Sequence, residues 1–424
     1  MNWENSIDVV PLTDVGLRRA TNQDSYASAP ALSAESWNAR GHLFVVADGM
    51  GAHAAGELAS KMAVETIPHI YAKLVADNPA PAAILAAVKE ANREIHSRGK
   101  ANAEFEGMGT TTSVLILLPQ GALVAHVGDS RVYRQRGQEL EQLSFDHSLV
   151  WELQARSQHS EEQIAEHVPK NIITRSLGPS PEVQVDLEGP YPIQTGDTFL
   201  LCSDGLSGQV ADDEIGVILG TLPPEEAART LVDLANLRGG PDNITIIVVR
   251  VNGPNIPNQN VIPLPAPKLA QGPVKPLDST AWLVMGAFGS LAAVMLLLEH
   301  WIFAGIFLLG LGAALAFFFR QRLFGETSEW QSATGMLGRG PHRRYQCPVD
   351  AKMADRLGQL IREVRDAATA EDWAIDWFQF NGRCEKAVNA MEREEFGQAI
   401  REYCLAISFM MSELRNQRKK KQKK

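Results

Sequence analysis

Five aspartates have the sequence surroundings expected of a metal site. Each adjoins a short apolar segment or a tight turn, and several stand next to glycine. They are Asp24, Asp48, Asp129, Asp204 and Asp242. A carboxylate at a strand end next to glycine is held rigidly, and the backbone beside it can approach a ligand closely. Several such carboxylates with no paired Cys or His indicate an all-oxygen site for hard divalent cations such as Mg²⁺ or Mn²⁺.

Six short motifs contain these aspartates or lie between them. In chain order they are Arg19-Ala20-Thr21-Asn22-Gln23-Asp24, Asp48-Gly49-Met50-Gly51, Gly109-Thr110-Thr111, Val127-Gly128-Asp129-Ser130-Arg131, Ser203-Asp204-Gly205 and Asp242-Asn243. One Asp-Gly pair alone would be typical of a turn, but six motifs in order are specific. Over roughly residues 5–252 the chain resembles the bacterial branch of the metal-dependent serine/threonine protein phosphatases, the phosphatase 2C type.

The resemblance implies two bound Mn²⁺ or Mg²⁺ ions. Asp48 would bridge the two ions, and the Gly49 carbonyl would complete the shell of one. Asp204 and Asp242 would hold the first ion, while Asp24 would serve the second, mostly through water.

The resemblance also implies a third, weaker metal site and a phosphate-binding arginine. Asp129, together with Asp204, matches the third site of bacterial members. Arg19 stands at the place of the arginine that binds phosphate, with the adjacent Arg18 as the alternative. Gln23 replaces the acid usual beside the second-metal aspartate, so the second metal is expected to bind more weakly.

Other polar residues near the motifs are predicted to be structural. Asn243 is interpreted as a residue that stabilises a turn. His126 and His147 lack a metal-ligand spacing, and lone histidines beside strands are usually satisfied structural groups. Residues 146–177 resemble the family's flap, which covers the edge of the site and shapes substrate choice. A solvated surface helix is the alternative for part of that segment.

The elements that would position these residues mix strands and helices without regular alternation. Strands are predicted over 7–11, 43–47, 113–118, 123–127, 131–136, 198–203 and 243–251, and helices over 56–76, 80–100, 148–155 and 224–235. This pattern suits two packed sheets with helices outside, an α+β fold. The resemblance sharpens the prediction to a four-layer αββα sandwich.

The chain of 424 residues is long enough for more than one domain. The predicted division is a catalytic domain over 1–252, a linker with seven prolines over 253–280, two transmembrane helices over 281–319, a juxtamembrane linker over 320–344, a small all-α domain over 345–415 and a basic tail over 416–424. Within the all-α part, helices are predicted over 349–368 and 398–414. Ala399, Tyr403 and Ala406 have the spacing of a tetratricopeptide helix, although ordinary helix packing explains it as well.

Two uncharged apolar runs between 281 and 319 predict a membrane hairpin, because each is about as long as the 17–25 residues that cross a bilayer. Basic residues on both flanks and none in the turn predict cytoplasmic flanks. The expected location is the cell (inner) membrane, with the catalytic and C-terminal domains in the cytoplasm. A buried helical hairpin of a soluble domain and a re-entrant hairpin are the alternatives.

Charge and cysteine usage limit the other classes of function. A net charge of −10 argues against specific nucleic-acid binding. The basic tail over 416–424 is interpreted as a contact for membrane lipid or as a solvated end. The four cysteines have no CxxC spacing, which is typical of a reduced, cytosolic protein. An N-terminus without a basic region and an apolar core predicts that there is no signal peptide.

The leading hypothesis is therefore a membrane-anchored, metal-dependent phosphatase that hydrolyses phosphoserine and phosphothreonine with a metal-activated water. Its expected partners are phosphorylated proteins and an opposing Ser/Thr kinase. One alternative is a catalytically weak, phosphatase-like scaffold that binds phosphoproteins, and another is a hydrolase of a different phosphoester such as a nucleotide.

Overall fold

The computed structural model describes residues 6–51, 54–156, 168–169, 172–253, 290, 297–298, 336–371 and 373–422. One compact unit combines Met1–Ala266 with Gln331–Lys424, and a second covers Pro267–Trp330. The second unit falls almost wholly outside the described residues. In the first unit, the C-terminal segment and the segment that carries the six motifs share one body.

Two antiparallel sheets form the centre of the first unit. The strands of the described residues are β1 (Ile7–Asp14), β2 (Asp24–Ala29), β3 (His42–Met50), β4 (Gly109–Thr110), β5 (Thr112–Leu118), β6 (Gly121–Val127), β7 (Arg131–Arg136), β8 (Glu139–Gln142), β9 (Asp186–Tyr191), β10 (Thr198–Cys202), β11 (Ile244–Val251) and β12 (Arg343–Gln346). The first sheet has the order β1-β11-β10-β7-β8-β12. The second has the order β2-β3-β5-β6-β9, with β4 paired to β3.

Central strands such as β3 contain a continuous apolar run, Leu43–Ala47 in β3, because both of their faces are buried. Phe44 and Val46 enter the core between the two sheets, together with Phe199 from the first sheet. Leu43 and Val45 point to the opposite face, into a core shared with helices. Successive side chains on a strand alternate between faces, so the continuous apolar run follows from burial on both sides.

Helices cover the outer faces of both sheets. They are α1 (Ala34–Arg40), α2 (Ala55–Leu74), α3 (Ala80–Ala101), α4 (Leu149–Arg156), α5 (Asp204–Ser207), α6 (Asp212–Thr221), α7 (Pro224–Leu237), α8 (Ala351–Ala370), α9 (Trp377–Glu392) and α10 (Phe396–Gln422). Helices α2 and α3 bury their apolar faces against the second sheet. Helices α6 and α7 do the same on the first sheet. The predicted mixed α/β fold and the C-terminal all-α region are confirmed.

The C-terminal segment is built onto the first sheet. Strand β12 pairs antiparallel with β8, where Tyr345 lies opposite Leu140. Residues of α8 and α10, such as Leu357 and Ile407, share one apolar core with Leu231 of α7. The tetratricopeptide-like residues of α10 are all buried in this core, so helix packing explains their spacing.

The predicted location in the inner membrane is contradicted. Among the helices that the structure describes, none combines the length and the apolar character needed to cross a membrane. The two apolar runs behind that prediction, over 281–319, lie almost entirely outside the described residues. An uncharged run indicates burial, but its length alone does not separate lipid from a protein interior.

Candidate active site and metal centre

Asp24 and Asp48 face each other across two paired strands. Strand β2 runs antiparallel to β3 with Asp24 directly opposite Asp48. The Asp48 N–H donates to Thr111 Oγ1 at 2.9 Å, and the Thr111 N–H donates to the Asp48 carbonyl at 2.8 Å. Directly opposed like charges destabilise a strand pair. This register therefore requires something at the site that offsets the repulsion.

The other three aspartates come from turns and a helix start at the same end of the sheets. Asp129 follows β6 in the second sheet, whereas Asp204 follows β10 and Asp242 precedes β11 in the first sheet. Strands β10 and β11 are neighbours. The five predicted metal ligands thus belong to both sheets and converge from two directions.

Burial and mutual repulsion raise the pKa values of four of these carboxyls. Burial, then the charges of Asp204 and Asp242, raises the pKa of Asp24 to about 7. Burial, followed by repulsion from Asp204 and Asp146, raises the pKa of Asp129 to about 8.

The pKa of Asp48 lies well above its ordinary value because of burial and the charges of Asp24, Asp204 and Asp129. The pKa of Asp204 is raised by burial and by Asp242. A bound cation would reverse these shifts, because it favours the ionised carboxylates.

Three carboxylate oxygens of the cluster are buried without a hydrogen-bond donor. They are the Oδ1 atoms of Asp24, Asp129 and Asp204. As placed, no group of three or more described Asp, Glu, His or Cys side chains has the arrangement to hold a metal ion. The Asp48 carboxyl instead hydrogen-bonds Asp204. The donor set still fits hard divalent cations, since orphaned oxygens with no sulfur or nitrogen competitor are the ligands that Mg²⁺ and Mn²⁺ prefer.

Gly49 lies where no larger residue fits. A Cβ on Gly49 would come within 2.1 Å of the Gly56 carbonyl oxygen and 2.6 Å of the Gln23 carbonyl oxygen. The first turn of α2 therefore packs directly on the backbone that follows Asp48. This contact fixes the Gly49 peptide, whose carbonyl is the predicted metal ligand.

Arg19 lies beside the carboxylate cluster. Its Nη2 donates to Asp242 Oδ2 at 2.7 Å, and half of the Arg19 side chain is exposed, so the guanidinium reaches solvent. The Arg18 guanidinium lies instead near Gly239. Of the two adjacent arginines, Arg19 is the one that pairs with an aspartate of the cluster.

Asn243 ties the Arg19 loop to strand β11. Its Nδ2 donates to the carbonyls of Val15 at 2.9 Å and Thr21 at 3.0 Å. Its Oδ1 accepts from the Gln23 N–H at 2.8 Å. The prediction of a structural role for Asn243 is confirmed, because these bonds engage both ends of its amide.

The two histidines are also structural. His126 is buried, with Nδ1 2.9 Å from Ser113 Oγ and Nε2 2.8 Å from the Gly128 carbonyl. Burial lowers the pKa of His126 to about 3, so the ring is neutral. His147 Nδ1 accepts from the Gly128 N–H at 3.0 Å, and Nε2 lies 2.9 Å from Asp186. Both rings hold the turn before Asp129.

Arg131 and Asp146 form a buried pair that the sequence analysis did not identify. Arg131 Nε donates to Asp146 Oδ2 at 2.8 Å, and its Nη1 donates to the Tyr133 hydroxyl at 2.9 Å. Arg131 stands two residues after Asp129, so the pair fixes the far side of that turn. The Asp-Ser-Arg motif contained the signal, but its partner fifteen residues away could not be recognised without the fold.

Comparison with known proteins places this architecture in a family. The sequence profile of the protein phosphatase 2C family matches residues 18–223. The protein phosphatase PhpP of Streptococcus pneumoniae is 38% identical over 249 residues, which cover 58% of this chain and 98% of that protein. The structure of the S. agalactiae serine/threonine phosphatase matches with a TM-score of 0.53 and 36% identity, covering 58% of this chain and all of that one. The Mycobacterium tuberculosis phosphatase PstP/Ppp matches with a TM-score of 0.51 and 33% identity, covering 58% and 99%.

The paired sheets and the carboxylate cluster at their end define the class, a serine/threonine protein phosphatase of bacterial type. The chain belongs to the protein phosphatase 2C family. The predicted family and enzyme class are therefore confirmed. Strand β12 and helices α8–α10 lie far beyond residue 223, where the family match ends.

Proposed function

We propose that this chain is a metal-dependent phosphatase that removes phosphate from phosphoserine and phosphothreonine of proteins, opposing a Ser/Thr kinase. The observation that carries the proposal is the cluster of carboxylates from two sheets, in which three buried oxygens have no hydrogen-bond partner. Such a cluster is costly to fold unless cations complete it.

Each predicted site residue has a role in this proposal. Asp48 would serve both of two Mn²⁺ or Mg²⁺ ions and the Gly49 carbonyl one of them, with Asp204 and Asp242 on one ion and Asp24 near the other. Asp129, with Asp204, would hold a third ion. When bound, the ions would neutralise phosphoryl charge and lower the pKa of the attacking water.

The chain's own residues would bind and orient the phosphate. The Arg19 guanidinium can donate two parallel hydrogen bonds to phosphate oxygens. Its present partner, Asp242, is exposed enough to exchange it for a substrate. Asn243 holds the loop that carries Arg19 at a fixed distance from β11, which limits the phosphate to one approach.

The test measures phosphate release from a phosphothreonine peptide by the full chain, with Mn²⁺ and with EDTA. We expect activity only with metal, and we expect Asp48→Asn to lower kcat about a thousandfold because several kcal/mol of charge stabilisation is lost. Asp8→Asn, the same change on an exposed residue of β1, is the matched control and should leave kcat unchanged.

A second readout separates catalysis from phosphoprotein binding alone. If the folded chain binds the phosphopeptide but releases no phosphate under any metal condition, it is a scaffold and the proposed enzyme is wrong. Equal rates for Asp48→Asn and the unsubstituted chain would reject the metal assignment.

A further inference from the structure

Strand β12 brings Arg343 onto helix α4, the described start of the flap-like segment 146–177. The Arg343 Cζ lies 3.8 Å from the centroid of the Trp151 ring. Its Nη2 donates to Gln154 Oε1 at 2.7 Å. Trp151 is only 5% exposed. A guanidinium this close to a shielded indole makes a strong cation–π contact.

Hydrogen bonds to Glu188 also hold the chain just before β12, and this fixes the position of Arg343. The N–H groups of Arg339 and Gly340 donate to Glu188 Oε2 at 2.9 and 2.8 Å. His342 Nε2 lies 3.0 Å from Glu188 Oε1. Glu188 is 4% exposed and belongs to β9 of the second sheet. These bonds join the C-terminal segment to the second sheet, whereas β12 itself pairs with β8 of the first sheet.

Helix α4 begins directly beside the catalytic centre. The His147 N–H donates to the Gly128 carbonyl at 2.7 Å, one residue before Asp129. The Leu149 N–H, at the start of α4, donates to the Ile172 carbonyl at 2.9 Å. The residues that lead into α4 are therefore hydrogen-bonded to the turn that carries Asp129.

Trp151 is shared between the C-terminal segment and the active-site turn. Besides Arg343, the Arg131 Cζ lies 5.7 Å from the Trp151 ring centroid. Arg131 also binds Asp146, which precedes α4. One indole thus links strand β12 to the residues that follow Asp129.

Two apolar side chains make this region suitable for contact with a protein substrate. Leu153 of α4 is 37% exposed, and Ile172 is 41% exposed. A protein substrate held at the carboxylate cluster would extend over the neighbouring surface, whereas a small aryl phosphate would not. Contacts of this kind contribute to KM for the larger substrate only.

We propose that Arg343 is a positioning residue for protein-substrate recognition: it fixes α4 through Trp151 and Gln154, and so couples the C-terminal segment to the active site. The inference rests on the proposed function. Because β12 lies outside the matched part of the family, this coupling is an addition to the phosphatase domain.

The test compares Arg343→Ala with the unsubstituted full chain on two substrates. KM for a phosphothreonine peptide should rise about fivefold, as loss of a shielded cation–π contact allows. Both kcat for the peptide and kcat/KM for p-nitrophenyl phosphate should stay within about twofold. Hydrogen exchange of the amides of residues 149–156 should become faster. Arg343→Lys, which keeps the charge, should restore part of the peptide KM.

Arg344→Ala is the matched control, because the half-exposed Arg344 of the same strand makes its ion pairs with Glu139 and Glu141 of β8, at 3.5 and 3.2 Å, and not with α4. It should change neither KM nor exchange in α4. If Arg343→Ala lowers kcat/KM equally on both substrates, or leaves hydrogen exchange in α4 unchanged, Arg343 is not a positioning residue. If the unsubstituted chain hydrolyses neither substrate, the proposed function fails, and the exchange data alone decide whether Arg343 holds α4.

Discussion

Buried acids have different charged neighbours in the carboxylate cluster and in the C-terminal helices. In the cluster, Asp48 is surrounded by other aspartates, and their charges help to raise its pKa. In the helical region, Asp233 of α7 is fully buried but pairs with Arg415 of α10 and, at 3.3 Å, with Arg229. The charge of such a buried acid is compensated by its guanidinium partners, so that removing either partner is costly. Five acids with fewer guanidinium partners than negative charges fit the proposed metal site.

The C-terminal helices also differ from the carboxylate cluster in their apolar packing. The C-terminal helices add Ile400, Ile407 and Met410 to the core that covers α6 and α7. The family relatives are matched almost over their whole length without this segment. Here the outer helix layer is itself covered. The added segment therefore contributes to stability, while the cluster contributes function at the expense of stability.

The largest expected effect comes from removing the C-terminal segment. A chain ending at Asn252 would expose several side chains such as Leu231 that are now buried under α8 and α10. Each fully buried aliphatic side chain contributes about 1.5–3 kcal/mol, so the loss should exceed ~5 kcal/mol, comparable with the stability of a typical domain. Guanidinium unfolding followed by circular dichroism measures it.

A chain ending at Gln417 is the control for that deletion, because it keeps the buried face of α10 and should unfold with the full chain. The prediction fails if the chain ending at Asn252 has the same unfolding midpoint as the full chain.

Neutralising one acid in each region should change stability in opposite directions. Asp233→Asn leaves Arg415 without its buried counter-charge and should cost about 3 kcal/mol. Asp48→Asn in EDTA removes one of several repelling carboxylates and should stabilise the fold by about 1 kcal/mol. Urea unfolding of both variants at pH 7.5 tests the pair. If both substitutions destabilise the fold by similar amounts, the predicted difference between the two regions is wrong.

Local motifs singled out five acids that the fold gathers at one end of the two sheets, because each is marked by a few neighbouring residues. The apolar runs that became β3 and β10 were equally visible, since burial on both faces leaves no polar position. Strand β2 was not predicted: its Asp24–Ala29 sequence is short, small and polar, and only pairing with β3 makes it a strand. Helix α9 was missed because few of its residues are buried.

Sequence patterns did not predict which distant segments of the chain pack together. The helical spacing of α8 and α10 indicated buried faces but not that α7 would cover them. The Arg343–Trp151 contact joins residues almost two hundred positions apart. The inner-membrane location was wrong for a related reason, since an apolar run indicates that a segment is buried without identifying what buries it.

Manganese should stabilise the cluster region and leave the helical region unaffected. A cation that binds only the folded chain adds about 2.7 kcal/mol at a hundredfold excess over Kd. We expect thermal unfolding of the full chain to shift upward with Mn²⁺ and back with EDTA. Asp48→Asn should abolish the shift, whereas Arg401→Ala, which breaks the surface pair with Glu226, should retain it. If Mn²⁺ raises the unfolding temperature of Asp48→Asn by the same amount, Mn²⁺ binds elsewhere on the chain.

The smallest expected effect concerns Gln23, the departure from the family pattern next to Asp24. Its main chain accepts from Gly49 at 3.1 Å and donates to Asn243, and these bonds do not depend on the side chain. Gln23→Glu keeps the shape of the side chain and adds a negative charge beside the proposed second metal. The Mn²⁺ concentration for half-maximal rate should therefore fall about fivefold, which corresponds to roughly 1 kcal/mol of charge interaction. Gln138→Glu, on an exposed turn, adds the same charge at a distance and should leave the titration unchanged. Coincident Mn²⁺ titrations for Gln23→Glu and the unsubstituted chain would show that the missing acid does not limit metal binding here.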